Sequence, residues 1–240
     1  MNDIEILKKM IDESKNIVFF SGAGVSTESG LKDFRSKDGI YNLKLKYNHT
    51  PEYMLSKTCF YNETEDFFDF YKNYMNSLNA KPNVTHKYLK KLEDNGKLKC
   101  IITQNIDGLH TKAGNKNVYE IHGTIYKNHC INCDKEYNAE HVFNSKGIPK
   151  CSCGGIIKPD VVLYEEMLIE DAFINGLKAI SESDMLIVAG TSLTVYPANT
   201  MINEFKGKYL VIINLDTTQY DYKADLVINK KLSEVFNKLI

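Results

Sequence analysis

The sequence predicts an α/β fold in which a mostly parallel, doubly wound sheet carries a small inserted module. Three observations point there. Strand-like and helix-like segments alternate along most of the 240 residues, the order expected of a parallel sheet with crossover helices. Residues 185–189 and 209–214 are apolar, β-branched runs of the kind buried on both faces of such a sheet. Residues 126–157 break the alternation and hold four of the six cysteines.

Taken in order, residues 4–14 read as an amphipathic helix and 16–20 as the first strand. Residues 63–77 and 84–95 have helical spacing, the second ending at Gly96 as a helix C-terminus does. Residues 99–103 and 118–121 read as strands, 171–181 as a helix, 224–228 as a further strand and 231–239 as a closing helix. Residues 36–51 form a polar loop too long for a simple connector, and such loops are often binding elements. No internal repeat or low-complexity linker is present.

Composition excludes several classes. An apolar fraction of 43% and a charged fraction of 25% are ordinary for a soluble domain. A formal net charge of −1 gives no reason to expect a nucleic-acid or membrane partner. No apolar run approaches membrane-spanning length, and the start has no signal-peptide layout, so a cytoplasmic protein is expected. No extra dimerisation segment stands out, and a monomer is expected.

Cys130, Cys133, Cys151 and Cys153 follow the pattern C-x2-C, 17 residues, C-x-C. In a reducing compartment this reads as a metal site before it reads as disulfides. Two thiolate pairs suit tetrahedral zinc, and four thiolates leave no open position, which makes the metal structural. Gly154-Gly155 permits the tight turn of such a knuckle. A nucleic-acid-binding ribbon is the rival reading, without an evident basic surface to support it. Cys59 and Cys100, isolated, read as buried thiols.

The first strand is followed by Ser21-Gly22-Ala23-Gly24-Val25-Ser26-Thr27. Glycines there let backbone amides approach a pyrophosphate, although Thr27 replaces the third glycine of the usual fingerprint and glycines also make plain turns. Gly30-Leu31-Lys32-Asp33-Phe34-Arg35 then gathers a carboxylate, an aromatic ring and a guanidinium. Residues 103–110, Thr-Gln-Asn-Ile-Asp-Gly-Leu-His, crowd polar groups at the end of the second strand. Gly190-Thr191-Ser192 and Asn214-Leu215-Asp216 end two later strands. Ligands of open α/β sheets bind outside the carboxyl ends of the strands, and four such ends on one rim point to a dinucleotide. His122, after a short strand on the same rim, suits a general base near neutral pH.

Together these segments resemble the sirtuin family over nearly the whole chain and in the right order. The matching stretches are Gly22-Ala23-Gly24-Val25-Ser26, residues 30–35, Gln104-Asn105-Ile106-Asp107, His122-Gly123 and the four cysteines. They continue with Pro159-Asp160-Val161-Val162, Gly190-Thr191-Ser192-Leu193, Val195-Tyr196-Pro197-Ala198 and Asn214. The resemblance implies a bacterial-type NAD-dependent protein lysine deacetylase, with NAD consumed as a co-substrate and one structural zinc ion. It implies a Rossmann-like NAD-binding domain over residues 1–123 and 158–240 and a zinc-binding module over 124–157.

The resemblance also implies roles. Ala23, Thr27, Phe34 and Arg35 would wrap the phosphates and nicotinamide ribose. Gln104, Asn105, Ile106 and Asp107 would receive nicotinamide, with Asn105 and His122 catalytic. Thr191, Ser192, Asn214, Leu215 and Lys231 would hold the phosphate and adenosine side. Val161, Val162, Leu193 and Val195 would line the acyl-lysine tunnel or its peptide groove, the peptide adding as a strand. In the implied chemistry the acyl oxygen displaces nicotinamide from the ribose. His122 then acts as base on a ribose hydroxyl, which attacks the amidate carbon, and water completes the release of lysine and O-acetyl-ADP-ribose.

Three departures from the family pattern are visible. Lys32 stands where proline is common, and Tyr164-Glu165-Glu166 where aromatic-glycine-glutamate is common. Members that prefer succinyl or malonyl groups carry tyrosine and arginine three apart, where this chain has Tyr71-Lys72-Asn73-Tyr74. Lacking that arginine, it is expected to take neutral acyl groups, acetyl first; Tyr71 and Tyr74 equally suit helix-face packing. The rivals are an NAD-dependent protein ADP-ribosyltransferase, a deacylase preferring longer acyl chains, an NAD-dependent dehydrogenase, and a zinc-ribbon binding module.

Overall fold

The computed structural model describes residues 2–36, 39–42 and 47–240. The chain opens with α1 (Asp3–Glu13), capped by the Asn2 side chain on the backbone N–H groups of Ile4 and Glu5, and β1 (Ile17–Ser21). Four helices follow: α2 (Pro51–Met54), α3 (Lys57–Asn62), α4 (Thr64–Tyr74) and α5 (Val84–Asp94). Then come β2 (Leu98–Thr103), α6 (Leu109–Lys112) and β3 (Val118–Glu120). The cysteine region contains β4 (Gly123–Cys130), β5 (Glu136–Tyr137), α7 (Ala139–Asn144) and β6 (Ile157–Val161). The chain ends with α8 (Glu170–Ser181), β7 (Met185–Ala189), β8 (Tyr209–Ile213), β9 (Leu226–Ile228) and α9 (Leu232–Phe236).

Six parallel strands form the main sheet in the order β3-β2-β1-β7-β8-β9. The central strands β1 and β7 are buried along their whole length on both faces, which is why they read as nearly unbroken apolar runs. In β1 the alternation divides the layers: Ile17 and Phe19 join the core under α1, α5 and α9, while Val18 and Phe20 join the core under α8. Strand order reverses between β1 and β7. That topological switch opens a crevice at the carboxyl ends of the strands, and it fixes where a ligand can sit.

The second sheet is antiparallel, β5-β4-β6. It does not stand alone. Phe60, Phe67, Phe68, Phe70 and Tyr71 of α3 and α4 share one core with Ile125, Phe143, Ile157 and Val161, so the cysteine region and helices α2 to α4 pack as one lobe beside the sheet.

Of the polar loop over residues 36–51, residues 37–38 and 43–46 lie outside the described residues. Its described parts are closed by backbone bonds from Ile40 N–H to the Asp33 carbonyl, 2.9 Å, and from Tyr41 N–H to the Phe34 carbonyl, 3.0 Å. No helix among the described residues is long and apolar enough to cross a membrane.

Candidate active site

A cavity of about 1100 Å³ lies over the switch point, between the sheet and the second lobe. The loop after β1 reaches it by crossing the end of β7. Gly22 N–H donates to the Ala189 carbonyl at 3.2 Å, and Gly24 N–H to the Gly190 carbonyl at 2.8 Å. A Cβ on Gly22 would lie 2.7 Å from the Thr191 Cβ, and one on Gly24 2.8 Å from the Gly190 Cα. These glycines are therefore required by the contact of two strand ends. The loop then forms two short 3₁₀ turns, Ala23–Val25 and Thr27–Ser29, in place of the α-helix N-terminus of the usual dinucleotide site.

Ala23, Thr27, Phe34 and Arg35 line the cavity, and so do Gln104, Asn105, Ile106, Asp107 and His122. Thr191, Ser192, Asn214, Leu215 and Lys231 line its far side, and Val161, Val162 and Val195 its opposite mouth. Leu193 does not line it: the side chain is 1% exposed and packs with Val18, Phe20 and Leu186 beneath the sheet. Its backbone is left-handed, φ +54°, and its carbonyl accepts from Asn199 and Gln219. That leaves the apolar side chain no route into a tunnel. Asn83 and Ser233 also line the cavity, although the sequence does not single them out. Asn83 caps α5 and donates to the Val25 carbonyl at 2.8 Å. Its place as a polar residue just before a helical run is the one signal that marks it.

Polar groups here are held in fixed directions. Ser26 donates to Asp107 Oδ2 at 2.6 Å, and Asn105 Nδ2 donates to the Ser26 hydroxyl at 3.2 Å. Leu109 N–H donates to Asp107 Oδ1 at 2.9 Å. Burial raises the Asp107 carboxyl above its ordinary range, and the bonds from Ser26 and Leu109 oppose that rise. Gln104 Nε2 reaches Thr191 Oγ1 at 3.0 Å, linking the end of β2 to that of β7 across β1.

His122 Nδ1 lies 2.9 Å from the Gln104 carbonyl. A carbonyl only accepts, so Nδ1 carries the proton and Nε2 keeps a free lone pair. Burial lowers the His122 pKa, with the bond to Gln104 partly opposing, so the imidazole is neutral near pH 7. Val162 N–H donates to the His122 carbonyl at 2.8 Å, which ties the valine segment directly to His122. His110, from the same polar run, is instead buried below the rim with Nε2 at 3.0 Å from the Ser21 hydroxyl.

On the lobe side, Tyr71 both packs and lines the cavity. Its ring stacks between Phe67 and Phe143, centroids 5.7 and 5.4 Å away, and its buried hydroxyl has no hydrogen-bond partner. Lys72 Nζ turns toward α7, donating to the Ser145 and Gly147 carbonyls. The stretch therefore puts no cation at the pocket. Tyr74, half-buried, lines the wall.

The four cysteine sulfurs lie within 4.8 Å of one another. Three contacts, Cys130 to Cys153, Cys133 to Cys151 and Cys153 to Cys133, measure 3.5, 3.6 and 3.5 Å. A tetrahedron with Zn–S near 2.3 Å has edges of about 3.8 Å, so the donor set fits zinc and fills all four positions. Gly155 completes the fit, since a Cβ there would lie 2.6 Å from the Cys130 sulfur.

The Sir2 family model matches residues 22–197, a span that runs from the glycine loop through His122 and the cysteines to the end of the β7 loop. The chain belongs to the Sir2 family, the sirtuins. Among its relatives, a Clostridium acetobutylicum protein named NAD-dependent protein deacetylase is 54% identical over 242 residues, covering 100% of this chain and 99% of that one. A protein of the same name from Clostridium perfringens is 54% identical, covering 99% and 98%. Among solved structures, a Sir2 variant with deacetylated p53 peptide and 3'-O-acetyl ADP-ribose superposes with TM-score 0.90 at 35% identity, covering 99% of this chain and 97% of that one. A Sir2–p53 peptide–NAD+ complex gives 0.86 at 36%, covering 100% and 97%. The sirtuin scaffold thus accounts for both sheets and for the cavity between them.

Proposed function

We propose that this sirtuin is an NAD-dependent protein lysine deacetylase, releasing lysine, nicotinamide and O-acetyl-ADP-ribose. The observation that carries the reading is the His122 imidazole on the cavity wall, its Nδ1 proton fixed on Gln104 and its Nε2 bare. NAD supplies an electrophilic ribose carbon with nicotinamide as its leaving group. The chain's residues do the rest. The loop bearing Ala23, Thr27, Phe34 and Arg35 wraps the phosphates and the nicotinamide ribose, while Thr191, Ser192, Asn214, Leu215 and Lys231 hold the phosphate and adenosine portion. Gln104, Ile106 and Asp107 receive nicotinamide, and Asn105, held by Ser26, orients the reacting ribose. Phe34 and the valines keep stray water from the reacting carbon. His122 Nε2 takes the proton of a ribose hydroxyl.

The substrate is an acylated lysine of a protein, entering between Val161-Val162 and Val195. With Lys72 turned away, the pocket favours neutral acyl groups, acetyl first. We read residues 1–123 and 158–240 as the NAD-binding domain and 124–157 as the inserted zinc module, zinc holding the module's two thiolate knuckles together.

The test is nicotinamide release from NAD with and without an acetyl-lysine peptide. Release that depends on the acetyl group supports the reading. Release that ignores the peptide and labels protein with ADP-ribose overturns it in favour of a transferase.

A further inference from the structure

The two ends of the cavity differ in their charged lining: cations and carboxylates mix at one, and only carboxylates come from the segment after β6 at the other. The cofactor's end in the reading above is lined by Lys32, Arg35, Lys230 and Lys231, from the loop after β1 and the residues before α9, offset in part by Glu28, Asp33 and Asp216. The segment after β6, on the peptide's side, contributes Glu165 and Glu166. Glu166 is neutralised: its Oε2 lies 3.2 Å from Lys158 Nζ and accepts from Leu163 N–H at 2.9 Å. Glu165 is not. Its Oε2 accepts from the Thr58 backbone N–H at 3.0 Å and from the Thr58 hydroxyl at 2.7 Å, and among the described residues no cation pairs with it. The residue is exposed, and Oε1 accepts nothing from the described chain.

The backbone at Glu165 is left-handed, φ +75°, a conformation that disfavours any residue but glycine. Glycine is what the family pattern commonly places there. This chain instead holds a carboxylate at a strained position, anchors one oxygen on α3 and leaves the other open beside the groove. Strain kept together with an unneutralised charge is the pattern of a functional position.

We infer that Glu165 is a specificity-determining residue favouring acyl-lysine substrates with an arginine or lysine close in sequence to the acyl-lysine. Val162 and Glu165 are three residues apart, at most about 10 Å of chain. An extended peptide rises about 3.3 Å per residue, so the carboxylate addresses substrate positions within about three of the acyl-lysine. The inference rests on the deacetylase reading and names the substrate class of that same site.

The experiment compares kcat/KM for two acetyl-lysine peptides that differ only in carrying arginine or glutamine at the flanking positions. Wild-type protein should prefer the arginine peptide about threefold to fivefold, the size of one exposed ion pair, chiefly through KM. The preference should shrink at high salt. It should vanish in Glu165→Gln, whose amide still bonds Thr58 without the charge, and in Glu165→Gly, which relieves the backbone. Equal efficiency in the wild type, or a preference that survives in Glu165→Gln, overturns the inference and leaves Glu165 as an anchor for α3. Absence of turnover on both peptides overturns the deacetylase reading and this inference with it, so the two failures are distinct.

Discussion

The Gln104 carbonyl, at 2.9 Å from His122 Nδ1, sets the tautomer of the imidazole and so decides which nitrogen faces the cavity. The bond runs from the loop after β2 to the loop after β3, two adjacent strand ends of one sheet. The imidazole is thereby positioned by the main sheet itself.

His122→Ala should abolish acetyl transfer while leaving the circular dichroism spectrum and melting temperature close to wild type. Because burial lowers the His122 pKa, the neutral base persists into mild acid. The acid limb of the kcat/KM profile, which reports the free enzyme, should therefore inflect below pH 6.5. Glu120, whose carboxyl burial pushes up to about 7, titrates nearby. An inflection that stays in Glu120→Gln belongs to His122, and one that disappears does not.

Zinc should be present at one ion per chain by elemental analysis. Chelation, or Cys130→Ser, should lower the melting temperature and loosen the shared core of α3, α4 and the second sheet, because metal binding in such sites is folding free energy. Full stability after complete metal removal would refute the role assigned to the four thiolates.

Gly24→Ala places a methyl group 2.8 Å from the Gly190 Cα and 2.9 Å from its carbonyl oxygen. Both are backbone atoms that cannot swing aside. A loss of about 1–3 kcal/mol is expected, read by urea unfolding, together with a raised KM for NAD as the loop shifts. Wild-type values for both would mean that the two loops are not packed as described.

Acid should destabilise the fold through His86. Its ring is fully buried on α5 beside His110, centroids 4.7 Å apart, and burial lowers its pKa from 6.5 to about 4. Between those values the unfolded chain binds the extra proton, so stability rises with pH across the window and falls as pH drops through it. From pH 7.5 to 5 the loss attributable to His86 is about 2 kcal/mol. His86→Gln should flatten that part of the unfolding free energy against pH, and an unchanged slope would rule the histidine out.

Much of this was legible in the residues. The main strands and the helices α1, α5 and α8 fall within about two residues of their expected bounds, since each carries either an unbroken apolar run or a clear helical period, whereas α4 and α9 end three residues short of theirs. Helices α2 and α3, of 4 and 6 residues, are too short to show a period. Only their caps announce them: Thr50 before Pro51, and Ser56, whose hydroxyl accepts from Cys59 N–H. The pairing of β4 with β6 is invisible to local reading because it spans the cysteine region and breaks register between Gly123 and Asn128.

At the site, nearly every residue named from the motifs lines the cavity, because the motifs sit at strand ends and strand ends converge. Leu193 is the exception, its left-handed backbone turning an apolar side chain into the core. Tyr71 illustrates a different limit. Spacing alone could not separate packing from pocket, and the ring does both, stacked between Phe67 and Phe143 while lining the cavity. The glycines of the first loop were legible as glycines, but their need to touch Gly190 and Thr191 is a tertiary fact.

The most direct test of the central claim is mass spectrometry of the purified protein incubated with NAD and an acetyl-lysine peptide. The account predicts peptide lighter by one acetyl group, with nicotinamide and O-acetyl-ADP-ribose formed in equal amount. An intact peptide, with ADP-ribose added to a protein instead, would contradict it.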